Sequence, residues 1–208
     1  KLYAKQLPLL IQDWRTRWGQ GDFPFAWVQL PKFHNKDFAG WCEARESMLK
    51  TLSLPNTGMA VTIDSGDAVD IHPKNKPEVG RRLALWALAK VYGQEISFSG
   101  PLPAGHEIKG AEVICTFTHA EGLAATTGEI TGFTLAGADK IWHRATARIQ
   151  DDKVIVSSPE VKAPTALRYA WADIPEGNLI NAAGLPASPF RTDDWTSTAA
   201  VTPPQLKK

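Results

Sequence analysis

The feature that most constrains this chain is a change in its hydrophobic rhythm near residue 97. Before that point, short apolar runs alternate with segments of helical period, as in Leu7, Ile11 and Trp18. After it, apolar and polar residues alternate with period two, and turn residues separate the segments. The first pattern predicts parallel strands covered by helices, and the second predicts antiparallel strands. We therefore predict an α/β region over 1–97 and a β region over 98–208.

The first region predicts the order helix, strand, helix, strand, helix. Its last helix begins near Pro77, with Asn75 or Lys76 at the cap and Gly93 at the end. The other predicted elements are a helix through Leu7 and Trp18, a strand at 23–30, a helix at 38–52 and a strand at 58–64. This order favours a parallel sheet with helices on both faces.

The second region predicts a β-sandwich or jelly roll. Its predicted strands lie at 111–120, 128–137, 141–150 and 153–161. The stretch from Pro164 has little periodicity, but it is rich in aromatic and basic residues, among them Trp171 and Trp195. We expect such a segment to be packed rather than disordered, with both indoles in the core or at the border of a cleft.

Composition excludes several classes of function. The 208 residues carry a net charge of +1, which gives no electrostatic reason to expect nucleic acid. No apolar run is long enough to predict a membrane span. The spacing of Cys42 and Cys115 suggests neither a disulfide framework nor a zinc site. No phosphate-binding loop and no G-x-S-x-G elbow occur, and we expect no cofactor.

The loop "DSGDAVDIHP" at 64–73 holds the chemistry-bearing residues. It follows a predicted strand, and ligands bind beyond the carboxyl ends of parallel strands. His72 can act as a general base near neutral pH, and a nearby carboxylate can orient it. Asp70 and Asp67 are the candidate acids, and Pro73 restricts His72 to extended backbone angles. We expect the imidazole to face a cleft.

Other interpretations of these residues stay open. A loop histidine beside acids is also typical of a solvated, helix-capping loop, and Arg81 and Arg82 are expected on a solvated helix face. The remaining histidines show no paired spacing, so no metal site is predicted. Ser65 shares the loop with His72 and is a poor candidate nucleophile. The residues thus offer a base and an acid without a nucleophile.

Four stretches resemble the sialate O-acetylesterase family of the SGNH-hydrolase superfamily. They are "LLIQDWRTRWGQGDFPFAWVQL" at 9–30, "WCEARE" at 41–46, "DIHPKNKPEVGRRLALWALAKVYG" at 70–93 and "LRYAWADIPEGNLINAAGLPASPFRTDDW" at 167–195. The resemblance covers nearly the whole chain, in order. It implies the C-terminal portion of a serine esterase that removes acetyl groups from sugars. The implied fold is part of a parallel, flavodoxin-like sheet followed by a β-sandwich.

The resemblance also assigns residues. His72 matches the family's general base. The superfamily usually has Asp three residues earlier, where this chain has Val69, so Asp70 is the first choice for the acid and Asp67 the second. The family's "GQSN"-like and "GESN"-like segments are not in this chain. The nucleophilic serine is therefore expected on an N-terminal segment or a second chain, in an extracellular or periplasmic protein.

Gln29 and Arg45 are candidates for contact with the sugar. Gln29 closes a predicted strand, and Arg45 lies on the following helix. A strand-end hydrogen bond for Gln29 and an ion pair of Arg45 with Glu46 are equally open. The expected substrate is an acetylated sialic acid or related sugar. The alternatives are an acetylxylan esterase, a non-catalytic carbohydrate-binding protein and a metal hydrolase that uses His72.

Overall fold

A computed structural model describes residues 2–34 and 40–195. Over the α/β region, the described elements follow the predicted order. They are α1 (Tyr3–Trp18), β1 (Phe25–Val28), α2 (Trp41–Thr51), β2 (Thr57–Ala60) and α3 (Lys76–Lys90). The fold is therefore mixed α/β, as the sequence predicts.

Strands β1 and β2 form a parallel pair, in which Phe25 lies opposite Thr57. The two faces of this pair meet different helices. Phe25 of β1, whose partner Thr57 shares a face with Met59, has its ring 5.8 Å from that of Trp14 in α1. A Cβ at Gly58 would lie 2.3 Å from the indole of Trp86 in α3. Because successive strand residues point to opposite faces, α1 and α3 cover opposite sides of the pair.

The β region contains ten short strands among the described residues. They are β3 (Leu102–Lys109), β4 (Glu112–Thr118), β5 (Ala124–Ala125), β6 (Phe133–Ala136), β7 (Trp142–Arg144), β8 (Thr146–Gln150), β9 (Lys153–Ser157), β10 (Ala166–Tyr169), β11 (Leu179–Ile180) and β12 (Phe190–Arg191). They pair as β3-β4-β9-β8, as β12-β10-β6-β7 and as β11-β5. All these pairs are antiparallel. Period-two patterning thus predicted the pairing mode correctly, and the jelly-roll arrangement stays a prediction.

Several details differ from the sequence prediction, which placed no strand at β3 or β5. The segment predicted as one strand at 141–150 is two strands, β7 and β8, which belong to different sheets. The stretch after Pro164 was expected to have little regular structure, yet it supplies β10, β11 and β12. The strands of that stretch are only two to four residues long, too short to show a hydrophobic period.

Arg45 joins the two regions from inside the protein. Its guanidinium donates to the carbonyl oxygens of Leu30 (2.9 Å) and Pro31 (2.6 Å), beyond the end of β1. It also donates to the carbonyl oxygens of Ala172 (2.6 Å) and Asp173 (3.0 Å), beyond the end of β10. The side chain is 0% exposed. One buried cation therefore holds the C-terminal stretch against the α/β region.

A second group of charges lies beside this junction. Arg191 makes a two-pronged ion pair with Glu46 of α2, at 3.0 Å for each bond. Arg168 does the same with Asp193, at 2.8 and 2.9 Å. The buried indole of Trp171 lies against both guanidinium groups. Trp171 is thus a packing residue of the junction rather than the wall of an open cleft.

No helix within residues 2–34 and 40–195 combines the length and the apolar character that crossing a membrane requires.

Candidate active site

The loop that carries His72 connects β2 to α3. Asn75 ends it by capping α3, since its Oδ1 accepts a hydrogen bond from the backbone N–H of Glu78 at 3.3 Å. Pro77 lies in the first turn of α3, where a missing N–H costs nothing. The helix therefore cannot extend backward, and residues 64–75 remain an irregular loop beyond the end of the strand.

His72 and Asp70 form a pair within this loop. The Nδ1 atom of His72 lies 3.1 Å from Oδ1 of Asp70, which also accepts the backbone N–H of His72 at 2.9 Å. Both bonds lower the pKa of Asp70 from its ordinary value, and the backbone bond has the larger effect. The carboxylate is therefore ionised at neutral pH, and it can accept a proton-bearing Nδ1. The other ring nitrogen, Nε2, takes no part in this bond.

The imidazole stands in solvent rather than in a cleft. Its side chain is 79% exposed, and that of Asp70 is 47% exposed. The loop does not line either of two cavities of about 480 Å³, which both adjoin the turn between α2 and β2, at the opposite end of β2. The expectation that His72 faces a cleft is therefore not met by the described residues.

Asp67 occupies a different position in the loop. Its Oδ1 accepts the backbone N–H of Val69 at 2.8 Å, which makes a local Asx turn. The structure thus brings Asp70, and not Asp67, to the imidazole of His72. Which carboxylate acts in a reaction stays a prediction, but the geometry favours Asp70.

Asp64 has a partner that the sequence prediction missed. Both of its carboxylate oxygens bind Arg82 of α3, at 2.7 and 2.6 Å. Arg82 also donates to the carbonyl oxygen of Val61 at 2.6 Å and to Glu78 at 2.8 Å. The expectation of a solvated face is wrong for Arg82, which is 6% exposed. The signal in the sequence was the i, i+4 spacing of Glu78 and Arg82.

The loop also rests on the segment that follows β1. The backbone N–H groups of Lys32 and His34 donate to the carbonyl oxygens of Ser65 (3.1 Å) and Ala68 (3.0 Å). Gly66 has φ of +93°, and a Cβ there would lie 2.8 Å from the Lys32 oxygen. Only glycine fits this close approach without strain.

Gln29 and Arg45 lie beneath this region, both 0% exposed. The Nε2 of Gln29 donates to Ser188 Oγ (3.0 Å) and more weakly to the Arg45 carbonyl oxygen (3.3 Å). Burial lowers the pKa of Arg45 to about 10, so it stays charged at neutral pH. Their observed contacts are structural, so the structure gives no support for sugar contact by either side chain, which stays a prediction.

The described residues offer no activated thiol nucleophile. Burial raises the pKa values of Cys42 and Cys115 to about 12, so both are protonated at neutral pH. Ser65 takes part in the loop through its backbone, which donates to Thr62 and accepts from Lys32. No group of three or more His, Cys, Asp or Glu that could hold a metal ion occurs within residues 2–34 and 40–195.

Comparison with known proteins shows which proteins this chain resembles. No family model matches the chain. Sialate O-acetylesterase of Mus musculus is 30% identical over 84% of this chain and 37% of its own length. Sialate O-acetylesterase of Homo sapiens is 28% identical over 91% of this chain and 42% of its own length. The crystal structure of a carbohydrate acetylesterase from Xanthomonas citri, 43% identical, superposes with a TM-score of 0.87 over 93% of this chain and 46% of its own.

The chain belongs to the sialate O-acetylesterase family. It spans less than half the length of the sialate O-acetylesterases and the solved carbohydrate acetylesterase that it matches. The solved carbohydrate acetylesterase structure resembles this chain over both the α/β region and the β region, because the match covers 93% of the residues. The resemblance noted in the sequence is thereby confirmed.

Proposed function

We propose that this chain supplies the His–Asp pair of a serine esterase that removes acetyl groups from carbohydrates. The observation that carries the proposal is the contact between His72 Nδ1 and Asp70 Oδ1, beyond the carboxyl end of a parallel strand. The names of the relatives, sialate O-acetylesterase and carbohydrate acetylesterase, support the reaction class. Family membership makes a catalytic function for the pair a better explanation than helix capping.

The proposed chemistry uses the free face of the imidazole. Asp70 holds Nδ1–H, which leaves Nε2 to take the proton of a serine hydroxyl. The serine oxygen then attacks the acetyl carbonyl carbon, and the tetrahedral intermediate collapses as His72 returns the proton to the departing sugar oxygen. Water repeats the sequence on the acetyl-serine, which releases acetate and restores both groups. Asp70 stabilises the imidazolium in each half-reaction.

The serine is proposed to come from an N-terminal segment or from a second chain of the same enzyme. The 79% exposure of the His72 side chain supports this two-part arrangement. An imidazole that accepts a proton from a hydroxyl on another stretch of polypeptide must be accessible to it. The wall of the cleft would then come from the same polypeptide. An extracellular or periplasmic location is proposed with it, by analogy with the family.

Acetylated sialic acid is the proposed substrate, because the curated relatives carry that name. The Xanthomonas citri neighbour is named only for carbohydrate acetyl groups. Initial rates on O-acetylated sialic acid and on acetylated xylan, measured with the same preparation, separate the two substrates. A higher kcat/KM for acetylated xylan would replace the sialate assignment and leave the chemistry unchanged.

The decisive test is hydrolysis of a chromogenic acetate ester by the assembled protein. His72→Ala should lower kcat/KM by roughly a thousandfold or more, because base and acid catalysis are both lost. His143→Ala is the matched control, since His143 also pairs with an exposed-surface carboxylate, Glu160, but lies in β7. This control should retain its activity.

Unchanged hydrolysis in His72→Ala would contradict the proposed role of the loop. Sugar binding without any hydrolysis would instead identify a non-catalytic carbohydrate-binding protein. Asp70→Asn and Asp67→Asn, compared in the same assay, decide between the two acids. The geometry predicts the larger loss for Asp70→Asn.

A further inference from the structure

We infer that Arg82 is a positioning residue, which fixes the His72 loop by clamping Asp64. This inference rests on the proposed function and adds a role that the sequence pattern did not reveal. The clamp joins the first residue of the loop to the helix that follows its last residue. It therefore links the two ends of the loop at residues 64–75, which we call the base of the loop.

Arg82 makes four hydrogen bonds at the clamp, through all three nitrogens of its guanidinium group. Nη1 and Nη2 of Arg82 each bind one oxygen of Asp64, in the two-pronged geometry that only arginine provides. Nη1 also binds the carbonyl oxygen of Val61, directly after β2, and Nε binds Glu78, one turn earlier in α3. One buried side chain thus connects the end of β2, the start of the loop and α3.

The rest of the loop has few other attachments. Asp67 and Asp70 bind groups inside the loop itself. Among the described residues, the hydrogen bonds that reach outside the loop, apart from the clamp, include the Asn75 cap on Glu78, the bond from Ser65 to Thr62, and the two backbone bonds from Lys32 and His34. If the base of the loop opens, these two bonds and the orientation of His72 are the first features that change. The clamp therefore determines where the imidazole stands relative to the strand end.

Arg81 offers a matched control at the next position of the same helix. It also binds Glu78, with bonds of 2.7 Å from both Nε and Nη2, but it makes no bond to the loop. Arg81→Lys and Arg82→Lys preserve charge and remove the two-pronged geometry at neighbouring sites. A difference between the two variants therefore reports on the contacts that Arg82 makes and Arg81 lacks, with Asp64 and Val61, rather than on the shared bond to Glu78.

The first measurement is made on the assembled protein and does not depend on hydrolysis. Amide hydrogen exchange of Lys32 and His34, followed by NMR, reports whether the loop is docked, because both amides donate to loop carbonyls. Arg82→Lys should increase exchange at these two amides by roughly tenfold, with altered imidazole resonances of His72. Arg81→Lys should leave both within about twofold of the unaltered chain.

Asp64→Asn is the second variant, and it decides the question if Arg82→Lys does not fold. It retains the bonds of Arg82 to Val61 and Glu78 and weakens only the bond to the loop. We expect the same local increase in exchange. Unchanged exchange at Lys32 and His34 in the folded variants would overturn the inference, and so would an equal increase across the β region.

The second measurement uses the assembled esterase. Arg82→Lys should lower kcat by roughly 10- to 100-fold with KM changed less than about twofold, because a displaced base affects the reaction more than sugar binding. A loosened loop with unchanged kcat would overturn the positioning role. Absence of hydrolysis by the unaltered enzyme would refute the proposed function alone, since the exchange measurement still tests the clamp.

Discussion

The His72 loop and the Arg45 junction use charged groups in opposite ways. At the junction, a fully buried guanidinium donates to four carbonyl oxygens, and neighbouring ion pairs are 13% exposed or less. In the loop, His72 is 79% exposed and has one side-chain partner. The charged groups named at the junction are all engaged in bonds that hold the fold. The loop leaves one nitrogen of the imidazole available and depends on Arg82 for its position.

This contrast separates residues that hold the fold from residues proposed to react. Burying a charge without complete pairing costs several kcal/mol, so charges inside the protein must be fully bonded. An exposed pair contributes little to stability, so its replacement should leave the fold intact. Three experiments test this separation.

Replacement of Arg45 should have the largest effect on stability. Arg45→Met keeps much of the apolar length of the side chain but removes the donor from the carbonyl oxygens of Leu30 and Ala172, while Pro31 keeps its bond from the indole of Trp41. We expect a loss of about 3–5 kcal/mol in the free energy of unfolding, measured by urea denaturation. Arg17→Met, at an exposed pair with Asp13, should not shift the urea midpoint measurably. Equal effects of the two variants would contradict the contrast.

Acidification should have an intermediate effect through Glu78. Hydrogen bonds from Arg81, and then from Arg82, lower the pKa of Glu78 to about 2, against the opposing effect of partial burial. Because the pKa is lower in the folded state, this contribution is complete above the ordinary value of 4.5 and is lost as the pH falls towards 2. Glu78→Gln should therefore flatten the decline of the urea midpoint between these pH values.

Glu107→Gln provides the control for that experiment, since Glu107 pairs with Lys109 on an exposed strand. Its pH dependence should match that of the unaltered chain. If the urea midpoint of Glu78→Gln falls with pH as steeply as that of the unaltered chain, the bonds with Arg81 and Arg82 do not determine acid stability.

The smallest effect on stability is expected at the proposed reactive pair. His72→Ala and Asp70→Asn remove exposed side chains whose bonds lie within the loop, so the urea midpoint should not change measurably. The same variants should have the largest effect on ester hydrolysis. A midpoint shift as large as that of Arg45→Met would show that the pair supports the fold, and it would undermine the proposed catalytic role.

The sequence by itself determined the elements and the family. Helical and period-two patterns located α1, β1, α2, β2 and α3 and predicted antiparallel pairing beyond them, because burial of one face imposes a period on each element. The motifs around His72 and in the C-terminal stretch indicated the family, which the comparisons confirm. Asp70 could be chosen over Asp67 only by its proximity in sequence.

Only the tertiary structure decided which charges are paired and which are exposed. Periodicity describes one element at a time, whereas Arg45 meets Ala172 and Asp173 across 127 and 128 positions of the chain. The same limit explains why Arg82 was expected in solvent: burial depends on what packs against an element, and that partner is remote in sequence. The exposure of His72 follows from the same cause, because only folding decides which loop the rest of the chain leaves uncovered.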